Sequence, residues 1–481
     1  MSDAPRILLN GVPTVLAGVP AATTLLDWLR EHAGLRGTKE GCAEGDCGAC
    51  TVVVERRDGP RLVREAVNSC LAMVGQMDGL GVRTIEGLAA PDGTLHPVQA
   101  AFVATGSTQC GFCTPGLVMA AYAFAAGGEP AETALIHDAL AGNLCRCTGY
   151  RPIVDAVASV APLASDAIAP PAETAAGLDD IARRGSASFS YVGQDFHVPR
   201  TLAEAASLRA RLPRAHLLAG GTDLGLLASR QRERLPEIIC LGRVGELNRL
   251  EAGPDGITIG AAVTYARAFA VLTDAYPELE TYLTRLGSRQ IRNMGTIGGN
   301  IGTASPIGDF LPVLLALDAR IALHSAARGA REVAADAFFE GYRQTALAPD
   351  ELIAAITIPP RAPGTRFYVD KVSKRRDQDI STVCGAYRLL LDGDTVRDVR
   401  LAFGGIAARP KRASAAEAAL RGRPFSDAAA TAAAAALAQD FQPISDWRGS
   451  AAYRLAVAGN LLRRLQLRVM QPALAIEVDA L

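Results

Sequence analysis

Residues 41–50 read GCAEGDCGAC, and their reading decides the organisation of the whole N-terminal third. Cys42, Cys47 and Cys50 stand at C-x4-C-x2-C spacing, and a fourth cysteine, Cys70, follows. A second group comprises Cys110 and Cys113 in QCGFC (109–113) and Cys145 and Cys147 in CRC (145–147). Of the ten cysteines only Cys240 and Cys384 come later, each alone in apolar surroundings, where a small core residue is expected. The opening MSDAPRILLNGVP lacks the basic and apolar regions of a signal peptide, so a reducing, cytoplasmic compartment is expected. Thiols gathered in such a compartment point to metal rather than to disulfides.

The first quartet has the ligand spacing of a plant-type [2Fe–2S] ferredoxin. Gly41, Gly45 and Gly48 suit a chain wound closely round a cluster, because glycine accepts positive φ without a steric penalty. Amides left facing inward can then point at sulfur. The second quartet joins C-x2-C to C-x-C. Zinc ribbons typically join two C-x2-C pairs, so a second [2Fe–2S] cluster is favoured over structural zinc, with plain core cysteines the remaining alternative.

Working outward, Arg6–Leu16 reads as a hairpin around Asn10-Gly11, and Leu25, Leu26 and Leu29 share one helical face. A strand follows Cys50, turning at Asp58-Gly59. This is the β-grasp plan of a small ferredoxin over residues 1–80. Thr114-Pro115 reads as an N-cap and first helical residue, Gly127-Gly128 closes that helix, and a second helix spans roughly 131–144. Residues 81–160 are therefore expected to form a helical domain for the second cluster. Residues 161–188, rich in Ala and Pro and aperiodic, read as a linker. A flavin-type dinucleotide-binding domain is expected over 189–363 and a C-terminal domain of the same flavoprotein part over 364–481, with an Ala-rich helix at 427–439. The fold class is thus α+β multidomain.

Composition narrows the function. A net charge of -1 carries no basic excess for nucleic acid or anionic membranes, and 5% aromatics offers few stacking platforms. No stretch is long and apolar enough to span a bilayer. The six histidines form no metal motif, and there is no G-x-S-x-G nucleophile elbow. Two glycine loops stand out: LLAGGTDL (217–224) and GTIGGNIGTASPIGD (295–309). Glycines let a backbone approach a pyrophosphate, and an acidic residue such as Asp309 can hold a ribose hydroxyl. Neither loop is G-x-G-x-x-G, so a Rossmann NAD site is not supported, and each loop alone reads more readily as a tight turn. Beside two one-electron clusters, however, a flavin is the expected converter to two-electron chemistry. Lys371, on the FYVDKVS strand, is a further site candidate.

GCAEGDCGACTV, QCGFCTPG and GNLCRCTGYRPI resemble the iron–sulfur domains of the molybdenum hydroxylase family. LAGGTDL, GTIGGNIGTASPIGD and DKVSKRRDQDIS resemble the FAD domain of its xanthine dehydrogenase branch, and FGGIAARPKRA the small domain that follows. The resemblance implies an iron–sulfur/FAD small subunit whose partner is a large molybdopterin-binding subunit, two copies of each forming a heterotetramer. The partner would convert hypoxanthine to xanthine and xanthine to urate, in purine metabolism. Electrons would cross the 110/113/145/147 cluster, then the 42/47/50/70 cluster, to FAD and on to NAD+. No catalytic side chain is implied on this chain itself. The eight cysteines match the family's iron ligands. Leu217, Leu218, Ala219, Gly220, Gly221, Thr222, Asp223 and Leu224 match its flavin diphosphate stretch, and Thr296, Ile297, Gly298, Gly299, Asn300 and Thr303 its glycine stretch. Asp309, Ile353 and Lys371 also fall on FAD contacts. Leu286 stands where the family usually has an aromatic residue near the flavin ring. Gln109 matches a residue that meets the molybdenum cofactor across the interface. Two other functions fit the same motifs: an aldehyde or N-heterocycle hydroxylase component, and a stand-alone NADH-dependent electron-transfer flavoprotein.

Overall fold

The computed structural model describes residues 4–169, 171–182, 185–474 and 476. The chain forms two compact units. One runs to Gly245 and takes in Thr264–Ala266 and Gly287–Gly295; the other holds Glu246–Val263, Arg267–Leu286 and Thr296 onward. The stretch expected to form one flavin-binding domain, 189–363, is therefore shared between them.

In the first unit the predicted hairpin pairs Arg6–Leu9 with Val12–Val15, and Asn10 and Gly11 both take positive φ (49° and 86°), as a primed two-residue turn requires. Arg6–Leu9 also pairs in parallel with Gly81–Arg83, which lies beside Thr51–Asp58 and then Arg61–Asn68, completing a five-stranded sheet. Leu25, Leu26 and Leu29 are buried against it, although their helix is only Leu25–Asp27 continued by a π-helical turn, Trp28–His32. The second domain is built round the helix Thr114–Ala126, buried on nearly every face among Pro97–Ala104, Thr133–Leu140 and Arg151–Val160. Its N-cap is Cys113, not Thr114; the Thr114 hydroxyl is instead hydrogen-bonded to Thr108.

The expected linker is not irregular. Ser165–Ile168 and Pro171–Ile181 are helical, and Leu178 and Ile181 bury against Leu8 of the first sheet. Leu178 and Ile181, one helical turn apart, supply the apolar surface that docks, a signal that the Pro and Ala content masked. Residue 170 and residues 183–184 of that segment lie outside the described residues. A four-stranded sheet follows, with Gln194–Val198, Glu237–Cys240 and His216–Leu218 parallel and Ala187–Tyr191 at its edge.

The second unit has an antiparallel five-stranded sheet in the order Leu250–Gly253, Gly256–Gly260, Glu351–Ile358, Arg320–Ser325, Gly329–Ala334. A second sheet, Thr365–Val372, Val383–Asp392, Thr395–Gly404 and Lys411–Arg412, shares a core with the helices Ser414–Leu420, Asp427–Asp440 and Ala451–Met470. Among the described residues no helix is long and apolar enough to cross a membrane.

Candidate functional site

The first four cysteines meet. The thiols of Cys42 and Cys47 hydrogen-bond each other, as do those of Cys50 and Cys70. Three amides, of Glu44, Asp46 and Cys47, donate to Cys42 Sγ at 3.3–3.4 Å, and Cys42 N–H donates to Cys47 Sγ at 3.3 Å. The Cys42 thiol is held down to about 5, by its bond from Cys47 and then, against the opposing effect of burial, by those amides. The loop turns on Ala43, Gly45 and Gly48 at positive φ. Gly41 is not among them: its need is room, since a Cβ there would stand 2.7 Å from Cys47 Sγ. Asn68 Nδ2 ties the loop to the sheet through Gly45 O at 2.9 Å.

The second quartet also meets in twos. Cys110 and Cys147 sulfurs lie 3.5 Å apart, and Cys113 pairs with Cys145. Cys110 and Cys147 are exposed while Cys145 is buried. Burial opposes ionisation of Cys145, yet the Thr148 hydroxyl and the amides of Cys147 and Thr148 bring its thiol down to about 7. Tyr150 holds a left-handed backbone (φ 67°), uncommon for an aromatic residue, and its hydroxyl accepts the Cys145 N–H at 2.9 Å. Thr148 and Tyr150 are site residues that the cysteine spacing did not reveal.

Thiols gathered two by two fit a binuclear iron–sulfur cluster, in which each iron takes two thiolates.

The expected flavin residues divide between the units. In the first, the strand His216–Leu218 ends on the buried Leu218, and Ala219 O accepts from Gln76 Nε2 at 3.3 Å. A Cβ at Gly220 would stand 1.9 Å from Met294 O, so this glycine is required by packing on the helix Arg289–Met294. In the second, Thr296 caps the helix Ile297–Thr303 by accepting the Gly299 N–H at 3.0 Å. Gly298 is pressed against Ala261, whereas a Cβ at Gly302 would find only Ile353 Cδ1, at 3.6 Å. Asn300 Oδ1, on this helix, is buried with no hydrogen-bond partner among the described residues, an uncompensated acceptor. Lys371 Nζ donates to Asp309 Oδ2 at 2.5 Å, and Ser381 Oγ to Asp309 Oδ1 at 2.6 Å. Arg285 braces the following loop, donating to Lys371 O, Ser373 Oγ and Arg376 O. Leu286, next to it, is half-buried. Arg285 and Ser381 were not singled out from sequence, because their roles depend on where a loop returns. An open acceptor, a glycine with free space and a paired lysine and aspartate together fit a polar nucleotide cofactor.

The lone cysteines are core residues as expected: Cys240 and Cys384 are both buried, and burial raises both thiols, that of Cys240 to about 11. His96 is structural too: its ring accepts the Val98 N–H and meets Ile168 O.

Family comparisons agree with this arrangement. Residues 7–75 match a 2Fe-2S iron-sulfur cluster binding domain and 84–158 a [2Fe-2S] binding domain. Residues 188–361 match the FAD binding domain in molybdopterin dehydrogenase, and 368–469 the CO dehydrogenase flavoprotein C-terminal domain. Mouse xanthine dehydrogenase/oxidase is 35% identical over 458 residues, covering 83% of this chain and 34% of that protein. The chain thus spans about a third of the length of the curated relatives it matches. Carbon monoxide dehydrogenase from Hydrogenophaga pseudoflava, in a structure lacking the Mo-pyranopterin moiety, is 32% identical with a TM-score of 0.54, covering 56% of this chain and 94% of that one. Quinoline 2-oxidoreductase from Pseudomonas putida 86 gives 27% and 0.53, covering 59% and 99%. The chain belongs to the molybdenum hydroxylase family, as an iron–sulfur and FAD chain of it.

Proposed function

We propose that this chain is the electron-carrying component of a xanthine dehydrogenase: an oxidoreductase subunit that drains a molybdopterin-bearing partner and delivers the electrons to NAD+. Cys110, Cys113, Cys145 and Cys147 hold the cluster nearer the partner, and Cys42, Cys47, Cys50 and Cys70 the cluster nearer FAD. The flavin is held by 217–224, by Leu286, Thr296–Asn300, Thr303, Asp309, Ile353 and Lys371. Bound FAD supplies the exchange between single electrons and electron pairs that the clusters cannot perform. The domain division proposed is that read from the sequence: 1–80, 81–160, 189–363 and 364–481.

The observation that carries this reading is the pairing of eight thiols into two quartets of different exposure. Cys110 and Cys147 face solvent beside the exposed Gln109, Phe112 and Tyr150, where a partner subunit can approach. The Cys50 and Cys70 thiols are buried, so electrons arriving there are kept from solvent oxidants. Likeness to curated xanthine dehydrogenases over 83% of the chain supports purine as the substrate class. A second reading has its own support, since solved relatives include a CO dehydrogenase and a quinoline oxidoreductase: the same chain serving a hydroxylase for another substrate, whose choice rests with the partner.

The test is purification of the native complex. A large molybdenum-containing subunit, four irons and one FAD per copy of this chain, and xanthine-dependent NAD+ reduction are expected. A complex with molybdenum but no xanthine activity supports the second reading, and one without molybdenum overturns both.

A further inference from the structure

We propose that Asn143 and Gln290 are positioning residues that hold the two cluster loops at a fixed approach, and thereby set the electronic coupling between the clusters. The proposal rests on the iron–sulfur reading above. The two loops touch directly: Leu144 N–H, one residue before Cys145, donates to the carbonyl of Cys47 at 3.0 Å. Asn143 stands beside this bond. Its Nδ2 donates to Gly48 O at 2.9 Å and to Thr51 Oγ1 at 3.1 Å, so one side chain grips the first cluster loop and the strand leaving it. Gln290 Nε2 donates to Asn143 Oδ1 at 2.7 Å and thereby fixes which way the Asn143 amide faces. Both side chains are fully enclosed, Asn143 at 2% exposure and Gln290 at 0%.

Three glycines make this contact possible. A Cβ at Gly48 would stand 2.2 Å from Gly142 O, one at Gly116 would stand 2.2 Å from Gly48 O, and one at Gly142 would stand 2.0 Å from Gln290 Oε1. The first cluster loop, the helix that starts after Cys113 and the turn before Cys145 thus meet at backbone distance. Gln290 comes from the helix Arg289–Met294, which Arg292 and Arg289 clamp to Asp138 at 2.5 and 2.9 Å. Stability alone does not account for the glutamine. Its Oε1 is buried with no hydrogen-bond partner, and a buried acceptor left unmade is destabilising relative to an apolar side chain of the same shape. What the amide supplies is the donor that orients Asn143.

The test uses the full chain carrying its clusters and compares Gln290→Met, Asn143→Ala and Gly142→Ala with the parent by iron analysis and low-temperature electron paramagnetic resonance. Met keeps the volume of Gln290 without its donor, and Gly142→Ala displaces Gln290 without removing a hydrogen-bonding group. The expected result is four irons per chain and unchanged signals from each cluster reduced singly, with loss of the magnetic splitting that appears when both are reduced. Splitting retained in all three variants overturns the proposal. So does loss of iron from all three, because the residues would then hold the clusters rather than space them. A parent chain without four irons instead overturns the iron–sulfur reading, which separates that failure from this one.

Discussion

Replacing Lys371 by methionine tests the flavin half of the site most sharply. The ammonium and the Asp309 carboxylate are paired at 2.5 Å with side-chain exposures of 2% and 10%, so the carboxylate has little recourse to water. Its other oxygen accepts from the Ser381 hydroxyl at 2.6 Å. Removing one member of a buried ion pair strands the other charge and costs about 3–5 kcal/mol. At roughly 2–4 °C per kcal/mol for a unit of this size, Lys371→Met should lower the unfolding midpoint by about 6–20 °C. Replacing both residues, in Lys371→Met with Asp309→Leu, removes the stranded charge and should recover most of that loss.

Flavin content distinguishes function from structure in this series. Thermal unfolding followed by circular dichroism reads stability, and released flavin fluorescence reads cofactor occupancy. If Lys371 and Asp309 contact FAD, both variants lose flavin while only the single one is strongly destabilised. A double variant that regains stability and keeps its flavin would refute the assignment and make the pair a structural clasp. A single variant that keeps both would refute the electrostatic argument as well.

Three other outcomes are expected. Cys145→Ser should reduce iron from four to two per chain and block transfer from the partner, while NADH-dependent dye reduction through FAD survives; loss of both activities in a folded chain would reverse the electron order. Glu351 is held down to about 2, by Arg331 first, against burial, and by the Ala348 amide. The stability it contributes is therefore complete above its ordinary 4.5 and disappears as pH falls toward 2, so the midpoint gap between the parent and Glu351→Gln should close across that window in acid titrations. Leu178→Ala should cost about 2–3 kcal/mol in denaturant titrations, since it opens a hole against Leu8 in a small cluster; no change would mean that the 171–181 helix does not dock.

Legibility followed the range of the interaction. The Asn10-Gly11 hairpin, the strand after Cys50 and the helix ended by Gly127 depend on residues a few positions apart, and their pattern identifies them. The cysteine quartets were legible because their chemistry is rigid: few groups other than iron and zinc need four thiols at such spacings. The N-cap of the helix Thr114–Ala126 was misplaced by one residue, since Thr114 has a distant claim on its hydroxyl, from Thr108. The linker helix was missed because its apolar face offers only Leu178 and Ile181 to the core and its partner, Leu8, lies in another domain.

The glycines mark the deeper limit. Gly48, Gly142, Gly220 and Gly298 all appear in motifs where a close ligand offers a ready explanation. Yet each is also required by protein: Gly142 O, Gln290 Oε1, Met294 O and Ala261 stand where their Cβ atoms would be. A sequence records that a side chain is forbidden at a position but not what occupies the space. In the second loop Gly299, Gly302 and Gly308 meet side chains rather than backbone, and of these Gly302 has the most room, with Ile353 Cδ1 at 3.6 Å against Thr296 Oγ1 at 2.7 Å from Gly299 and Leu311 Cδ1 at 3.0 Å from Gly308. Within this loop, close approach of a cofactor to the backbone is therefore expected at Gly302. Gly302→Ala, which meets no protein clash, is expected to weaken FAD binding without lowering the unfolding midpoint of the flavin-free chain. Gly298→Ala is expected to lower both, because Ala261 must first be displaced.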